Sequence, residues 1–119
     1  MMKVLGIGDN VVDKYVHIKT MYPGGNAVNF SVFAKRLGVE AAFLGTFGDD
    51  KEAEHVEGVL KELEIDLSHC RHFHGENGCA RVTLEDGDRV FLGSNSGGVT
   101  RENPFQLTEE DIEYIKGFS

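Results

Sequence analysis

Two short stretches hold the side chains best suited to chemistry. Asp9, Asn10 and Asp13 fall in Gly8-Asp9-Asn10-Val11-Val12-Asp13, and Gly24, Gly25, Asn26 and Asn29 fall in Tyr22-Pro23-Gly24-Gly25-Asn26-Ala27-Val28-Asn29. Carboxylates accept hydrogen bonds from hydroxyls and pair with amines, while an asparagine amide both donates and accepts. Adjacent glycines let a ligand approach the backbone closely. A helix start exposes N–H groups without internal partners, at the positive end of the helix dipole. Together these features suit a cradle for a small molecule bearing hydroxyls or an amine. The plainer alternative is a tight turn before a buried helix, with Asp9 and Asn10 making a turn and Asp13 facing water. These residues alone leave both open.

The surrounding pattern supplies the elements that must position them. The apolar run 3–8 reads as a buried strand, and residues 11–18 alternate imperfectly, as a more exposed strand does. Phe30, Phe33, Ala34 and Leu37 recur at helical spacing, which with Val28 and Val32 predicts a mostly buried helix over 27–37, ended by Gly38. Residues 40–47 read as a core strand closing on Gly48. Asp49 with Glu52 suits the start of a second helix with a stripe of Val56, Val59, Leu60 and Leu63.

Residues 70–74, 80–84 and 89–93 read as strands, the last two joined by the turn Glu85-Asp86-Gly87-Asp88. Thr108 is placed to cap a final helix, with Asp111 three residues on and Leu107 positioned to staple against Ile112. Strands alternating with helices predict a parallel sheet with crossover helices, the first strand and that of 40–47 sharing it. The hairpin forms a separate small layer. The last helix has no following strand, so the chain is expected to be part of a larger fold.

Other chemistries fit poorly. Gly6-Ile7-Gly8 lacks the third glycine of a dinucleotide fingerprint, since Val11 stands there, and a strand pattern follows where a helix is needed. Cys70, His72 and His74 would share one strand face with Cys79 nearby, but their spacing matches no zinc pattern. His17, His55 and His69 show no evident partners. Neither a Ser-His-Asp arrangement of interpretable spacing nor a GxxxxGK[ST] loop occurs.

The 119 residues carry 12 basic and 20 acidic side chains, a formal charge of −8, which argues against nucleic acid or an anionic membrane as partner. Two cysteines are too few for a disulfide scaffold. The first residues lack the features of a signal segment, so a cytoplasmic location is expected.

Gly24 to Ser31, followed by Gly38 and Gly48, resembles the first signature of the ribokinase-like (PfkB) carbohydrate kinase family: paired small residues, an asparagine, a small residue, then glycines at set intervals. Gly8 to Asp13 resembles that family's first substrate-contacting loop, with Asp13 at the acidic position. Gly48-Asp49-Asp50 resembles the turn after its third core strand. The resemblance implies an α/β fold of three layers around a parallel sheet. This chain would be the N-terminal, substrate-binding portion, with a small β lid near residues 11–19 and 80–93.

Only ten residues separate Asp13 from Gly24, where other members insert a longer lid segment, so the chain is most similar to fructoselysine and fructosamine 6-kinases. That implies ATP-dependent phosphorylation, with Mg²⁺, of the 6-hydroxyl of a glycated amine. Asp9, Asn10, Asp13, Gly24, Gly25, Asn26 and Asn29 would bind the sugar. The family's second signature, a glycine-alanine-glycine-aspartate turn that supplies the catalytic base and an anion hole, does not occur in these residues. No catalytic residue or metal ligand is therefore expected in this chain, the ATP-binding and catalytic portion is expected to be absent, and the chain alone is expected to be inactive. The implied partners are the sugar, ATP in the longer protein, and a second copy through the lid strands. A stand-alone, non-catalytic sugar-binding or interaction module is the alternative.

Overall fold

A computed structural model describes residues 2–119. Strands β1 (Lys3–Ile7) and β4 (Glu40–Leu44) pair in parallel, Lys3 opposite Glu40 and Ile7 opposite Leu44. The strand expected over 40–47 is interrupted at Gly45, and β5 (Thr46–Phe47) then pairs in parallel with β6 (Arg71–His72). A Cβ on Gly45 would lie 2.6 Å from the Gly8 carbonyl oxygen, so the backbones at the ends of β1 and β4 meet closely there. Helix α1 (Asn26–Arg36) leads into β4, and α2 (Lys51–Glu62) connects β5 to β6.

The core holds Val12, Val28, Phe43, Phe47, Ala53, Val56, Leu60 and Ile65, with the Phe43 and Phe47 rings edge to face at 5.9 Å. α2 starts one residue later than expected. Asp50, not Asp49, is its N-cap and accepts from the Ala53 N–H at 3.0 Å. Asp49 instead accepts from the Gly75 N–H.

A four-stranded sheet stands apart, in the order β3 (Thr20–Gly24), β2 (Val11–Tyr15), β7 (Cys79–Glu85), β8 (Asp88–Ser94). β2 and β7 are parallel neighbours, and the outer pairs are antiparallel. Two expectations change here. Residues 16–19 form a turn and not strand, with Lys19 at φ 51°, and Thr20–Gly24 is a strand where the sequence reading assigned no element. The β7–β8 turn is as expected, tight and with Asp86 and Gly87 both at positive φ.

Helix α1 buries a different face from the one its apolar spacing suggested. Val28 and Ser31 are buried, whereas Phe30 is 49%, Phe33 68% and Leu37 81% exposed. A Cβ on Gly6 would fall 2.5 Å from both the Ala27 carbonyl oxygen and Ser31 Oγ, and Ser31 Oγ donates to the Ala42 carbonyl oxygen at 2.8 Å. Contact this close admits only small groups, so the large side chains project from the opposite side.

After α3 (Val99–Glu102), α4 (Glu109–Ile115) carries a reciprocal capping box between Thr108 and Asp111. Asp111 is buried and accepts from Arg71 and from His69. Ser119 reaches the outer side of β1, its N–H donating to the Lys3 carbonyl oxygen at 2.7 Å. No helix among the described residues is long and apolar enough to cross a membrane.

Candidate functional site

The two sequence stretches meet at the ends of β1 and β3. A Cβ on Gly25 would lie 2.6 Å from the Asp9 carbonyl oxygen, and one on Gly24 would lie 2.7 Å from Asp13 Oδ2. Gly25 holds φ 94°, a conformation that favours glycine, and is the N-cap of α1. It provides no side chain to cap the helix, and the first turn carries no acidic residue. The first-turn N–H groups and the outward amide of Asn26 therefore stand beside the loop bearing Asp9.

Asp13 lies on β2 opposite Tyr22, and its carboxylate faces Arg89 Nη2 at 3.5 Å. Asn29, one turn into α1, is exposed and borders a groove with Tyr22 and Pro23. Asp9, Asp13, Gly24, Gly25 and Asn26 are thus brought to one strand-end and helix-start region, with Asn29 at its margin.

Asn10 does not belong to that contact set. It is 3% exposed; its Nδ2 donates to the Thr46 carbonyl oxygen and its Oδ1 accepts from Asn77 Nδ2 at 2.8 Å. Its amide is committed to the protein interior and has little surface to offer a substrate. Sequence reading missed its partner Asn77 and the neighbouring Asn95, whose Nδ2 donates to the Asn77 carbonyl oxygen at 2.8 Å. The available signal was position: Asn77 and Asn95 flank the predicted hairpin at its two open ends.

Two contacts fix the second sheet onto α2. Lys14 pairs with Glu52, and His55 Nε2 meets the Met21 carbonyl oxygen at 2.9 Å. The Lys14–Glu52 hydrogen bond raises the lysine pKa and lowers that of the glutamate. The cysteine–histidine group disperses. Cys70 Sγ donates to the Phe43 carbonyl oxygen, His72 stacks on Phe47, and His74 meets Asp49. No group of three or more potential metal ligands occurs among the described residues.

This geometry places Asp9 and the start of α1 at the carboxyl end of a parallel strand pair, where open α/β sheets hold ligands. Residues 2–119 match the profile of the pfkB family carbohydrate kinases. The chain belongs to that family. It is 47% identical over 117 residues to fructosamine kinase FrlD of Bacillus subtilis (strain 168), covering 98% of this chain and 41% of that protein. It is 37% identical over 115 residues to fructoselysine 6-kinase of Escherichia coli (strain K12), covering 96% and 43%. The chain therefore spans about two fifths of the length of these relatives. Its fold is shared with the nucleoside kinase of Methanocaldococcus jannaschii, at TM-score 0.70 and 23% identity, over 92% of this chain and 42% of that one.

Proposed function

We propose that these residues form the sugar-holding part of a kinase that phosphorylates the 6-hydroxyl of a glycated amine such as fructoselysine. The observation that carries the reading is the convergence of Asp9 and Asp13 on Gly24 and Gly25 at the start of α1. The similarity to a fructosamine kinase and a fructoselysine 6-kinase over nearly the whole chain supports the choice of substrate class.

In this reading Asp13 accepts a hydrogen bond from a sugar hydroxyl, and Asp9 holds either a hydroxyl or the substrate amine. The uncapped N–H groups of α1 and the amides of Asn26 and Asn29 take further oxygens. Gly24 and Gly25 let the Asp13 carboxylate and the Asp9 backbone pack closely against the start of α1. The four-stranded sheet serves as a lid, and its strands provide the surface through which two copies associate.

In this reading ATP is bound by another part of the longer kinase. The glycine-alanine-glycine-aspartate turn is missing, and the described residues contain no cluster of ligands for Mg²⁺. Those roles fall to the remainder of the longer kinase, where phosphoryl transfer requires positioned charge stabilisation. What this chain contributes is orientation of the nucleophilic hydroxyl, which for well-placed reactants supplies much of a rate enhancement.

The test is ADP release by the full-length protein with Mg-ATP and either fructoselysine, fructose or ribose. Preference for fructoselysine is expected. Turnover of fructose or ribose with none of fructoselysine would overturn the substrate reading.

A further inference from the structure

We propose that Asn77 is a positioning residue that sets where the β1–β2 loop and the start of β2, which carry Asp9 and Asp13, stand over Gly24 and Gly25. This inference rests on the sugar-kinase reading above for its functional consequence, and on geometry for the rest.

Asn77 is 1% exposed, and each of its polar groups is used. Its Oδ1 accepts from the Gly48 N–H at 3.2 Å, and its Nδ2 donates to Asn10 Oδ1 at 2.8 Å and to the Gly78 carbonyl oxygen at 3.2 Å. Its own N–H donates to Asp50 Oδ2 at 3.0 Å, and its carbonyl oxygen accepts from Asn95 Nδ2 at 2.8 Å. Asn95 Oδ1 in turn accepts from the Cys79 N–H at 3.0 Å.

These partners come from the β1–β2 loop, the end of β5, the cap of α2, the start of β7 and the end of β8. They lie at the seam between the parallel strands and the four-stranded sheet. Asn10, held between Thr46 and Asn77, is adjacent to Asp9 and three residues from Asp13. An amide is planar, with its donor and acceptor in fixed directions, so a network of amides specifies angle as well as distance. Removing the Asn77 side chain leaves the Gly48 N–H and Asn10 Oδ1 buried without this partner, a costly state that the seam relieves by shifting. The loop bearing Asp9 shifts with it, and with that loop the start of β2, the strand that carries Asp13.

The experiment compares wild type, Asn77→Ala and Asn77→Asp in the full-length kinase, well below each variant's unfolding temperature. It combines steady-state kinetics with fructoselysine and Mg-ATP and residue-resolved amide hydrogen exchange. Asn77→Asp retains the acceptor for Gly48 and loses the donor to Asn10. Misplacement of a reacting group by even an ångström is costly, so Asn77→Ala should raise the sugar KM by about tenfold to a hundredfold and leave the ATP KM within about twofold. Asn77→Asp, which sets a buried carboxylate against Asn10 Oδ1, should raise the sugar KM at least as much. Exchange should accelerate at Val12, Gly48 and Cys79, whose N–H groups donate into or beside the network, and stay unchanged at Phe43 in the core.

An unchanged sugar KM with unchanged exchange at these amides overturns the proposal. So does a uniform rise in exchange with both KM values, which marks a stability role alone. A wild-type protein that does not turn over fructoselysine overturns the substrate reading instead, and the exchange pattern then decides the role of Asn77 by itself.

Discussion

Asp13 and Gly24 lie so close across the β2–β3 hairpin that a Cβ on Gly24 would fall 2.7 Å from the Asp13 carboxylate and 2.8 Å from the Val11 carbonyl oxygen. The missing side chain is therefore part of what positions the acid. Gly24→Ala must displace either the carboxylate or the backbone, at a cost of about 1–3 kcal/mol for such overpacking. Thermal unfolding should show that loss, and the full-length kinase should show a sugar KM raised about tenfold while the ATP KM holds.

Replacing the acid itself separates sugar binding from folding. Arg89, the cation facing Asp13, is half exposed and can return to water. Asp13→Ala should therefore lower kcat/KM for the sugar by about tenfold to a hundredfold, the range of a hydrogen bond to a charged group, with little change in ATP affinity or melting temperature. Equal losses for both substrates would indicate misfolding.

The contact between α4 and β6 should impose an acid limit on stability. Arg71, hydrogen-bonded to Asp111, holds its carboxyl well below the usual carboxylate range, with help from Thr108 and His69. A depressed folded-state pKa contributes stability that is full above the unfolded value, about 3.9, and is lost as pH falls below it. Asp111→Ala removes the pair and the Asp111 half of the α4 capping box, costing about 3 kcal/mol at neutral pH. Unfolding midpoints measured from pH 7 down to pH 3 should keep a constant gap between wild type and variant down to about pH 4 and begin to narrow below it.

The two thiols should differ in chemistry from free cysteine. Burial pushes the Cys70 thiol up to about 12. The thiolate is the reactive form, so at pH 8 iodoacetamide should label Cys70 about a thousandfold more slowly than a free thiol until the protein unfolds. Peptide mass spectrometry over time reads this directly, and labelling of Cys70 at the free-thiol rate would contradict its placement beneath Phe43.

The 119-residue chain by itself is expected to release no ADP and to self-associate at tens of micromolar. Phe30, Phe33 and Leu37 present apolar surface along α1, and among the described residues β1 pairs with one strand, β4. Exposed apolar patches and open edges recruit other chains. Phe33→Glu, at an exposed position, should lower the light-scattering mass with a stability change within about 0.5 kcal/mol. A monomeric parent chain would remove the basis for this expectation.

The elements that could be read from sequence are those whose signal is local. The Asp86–Gly87 turn requires positive φ twice and so announced itself, and the Thr108–Asp111 box needs only four residues. Strand β3 was hidden because Pro23 and Gly24 read as a turn. An edge strand tolerates proline, and this one has only β2 as a neighbour. The buried side of α1 was misread because its contact with the sheet is set by Gly6 and Ser31, small residues that periodicity of apolar side chains does not register. Asn10 looked like a ligand for a related reason. An asparagine in a loop has the same letter whether its amide meets substrate or, as here, Thr46 and Asn77.

The parallel pairing of β2 with β7 also has a consequence for the order in which the molecule is made. Residues 12–15 can complete their sheet only when residues 79–82 exist. At about 5–20 residues per second, several seconds of synthesis separate the two. Through that interval β2 has β3 on one side and an open edge on the other, and a lone hairpin is marginal in water. Lys14 lies on that waiting edge, and a charge there discourages pairing with another nascent chain. Its later partner, Glu52, is translated before β7. The lysine that finally ties the sheet to α2 thus guards the edge first, and the stretch of chain that carries Asp13 is the one longest in need of protection on the ribosome.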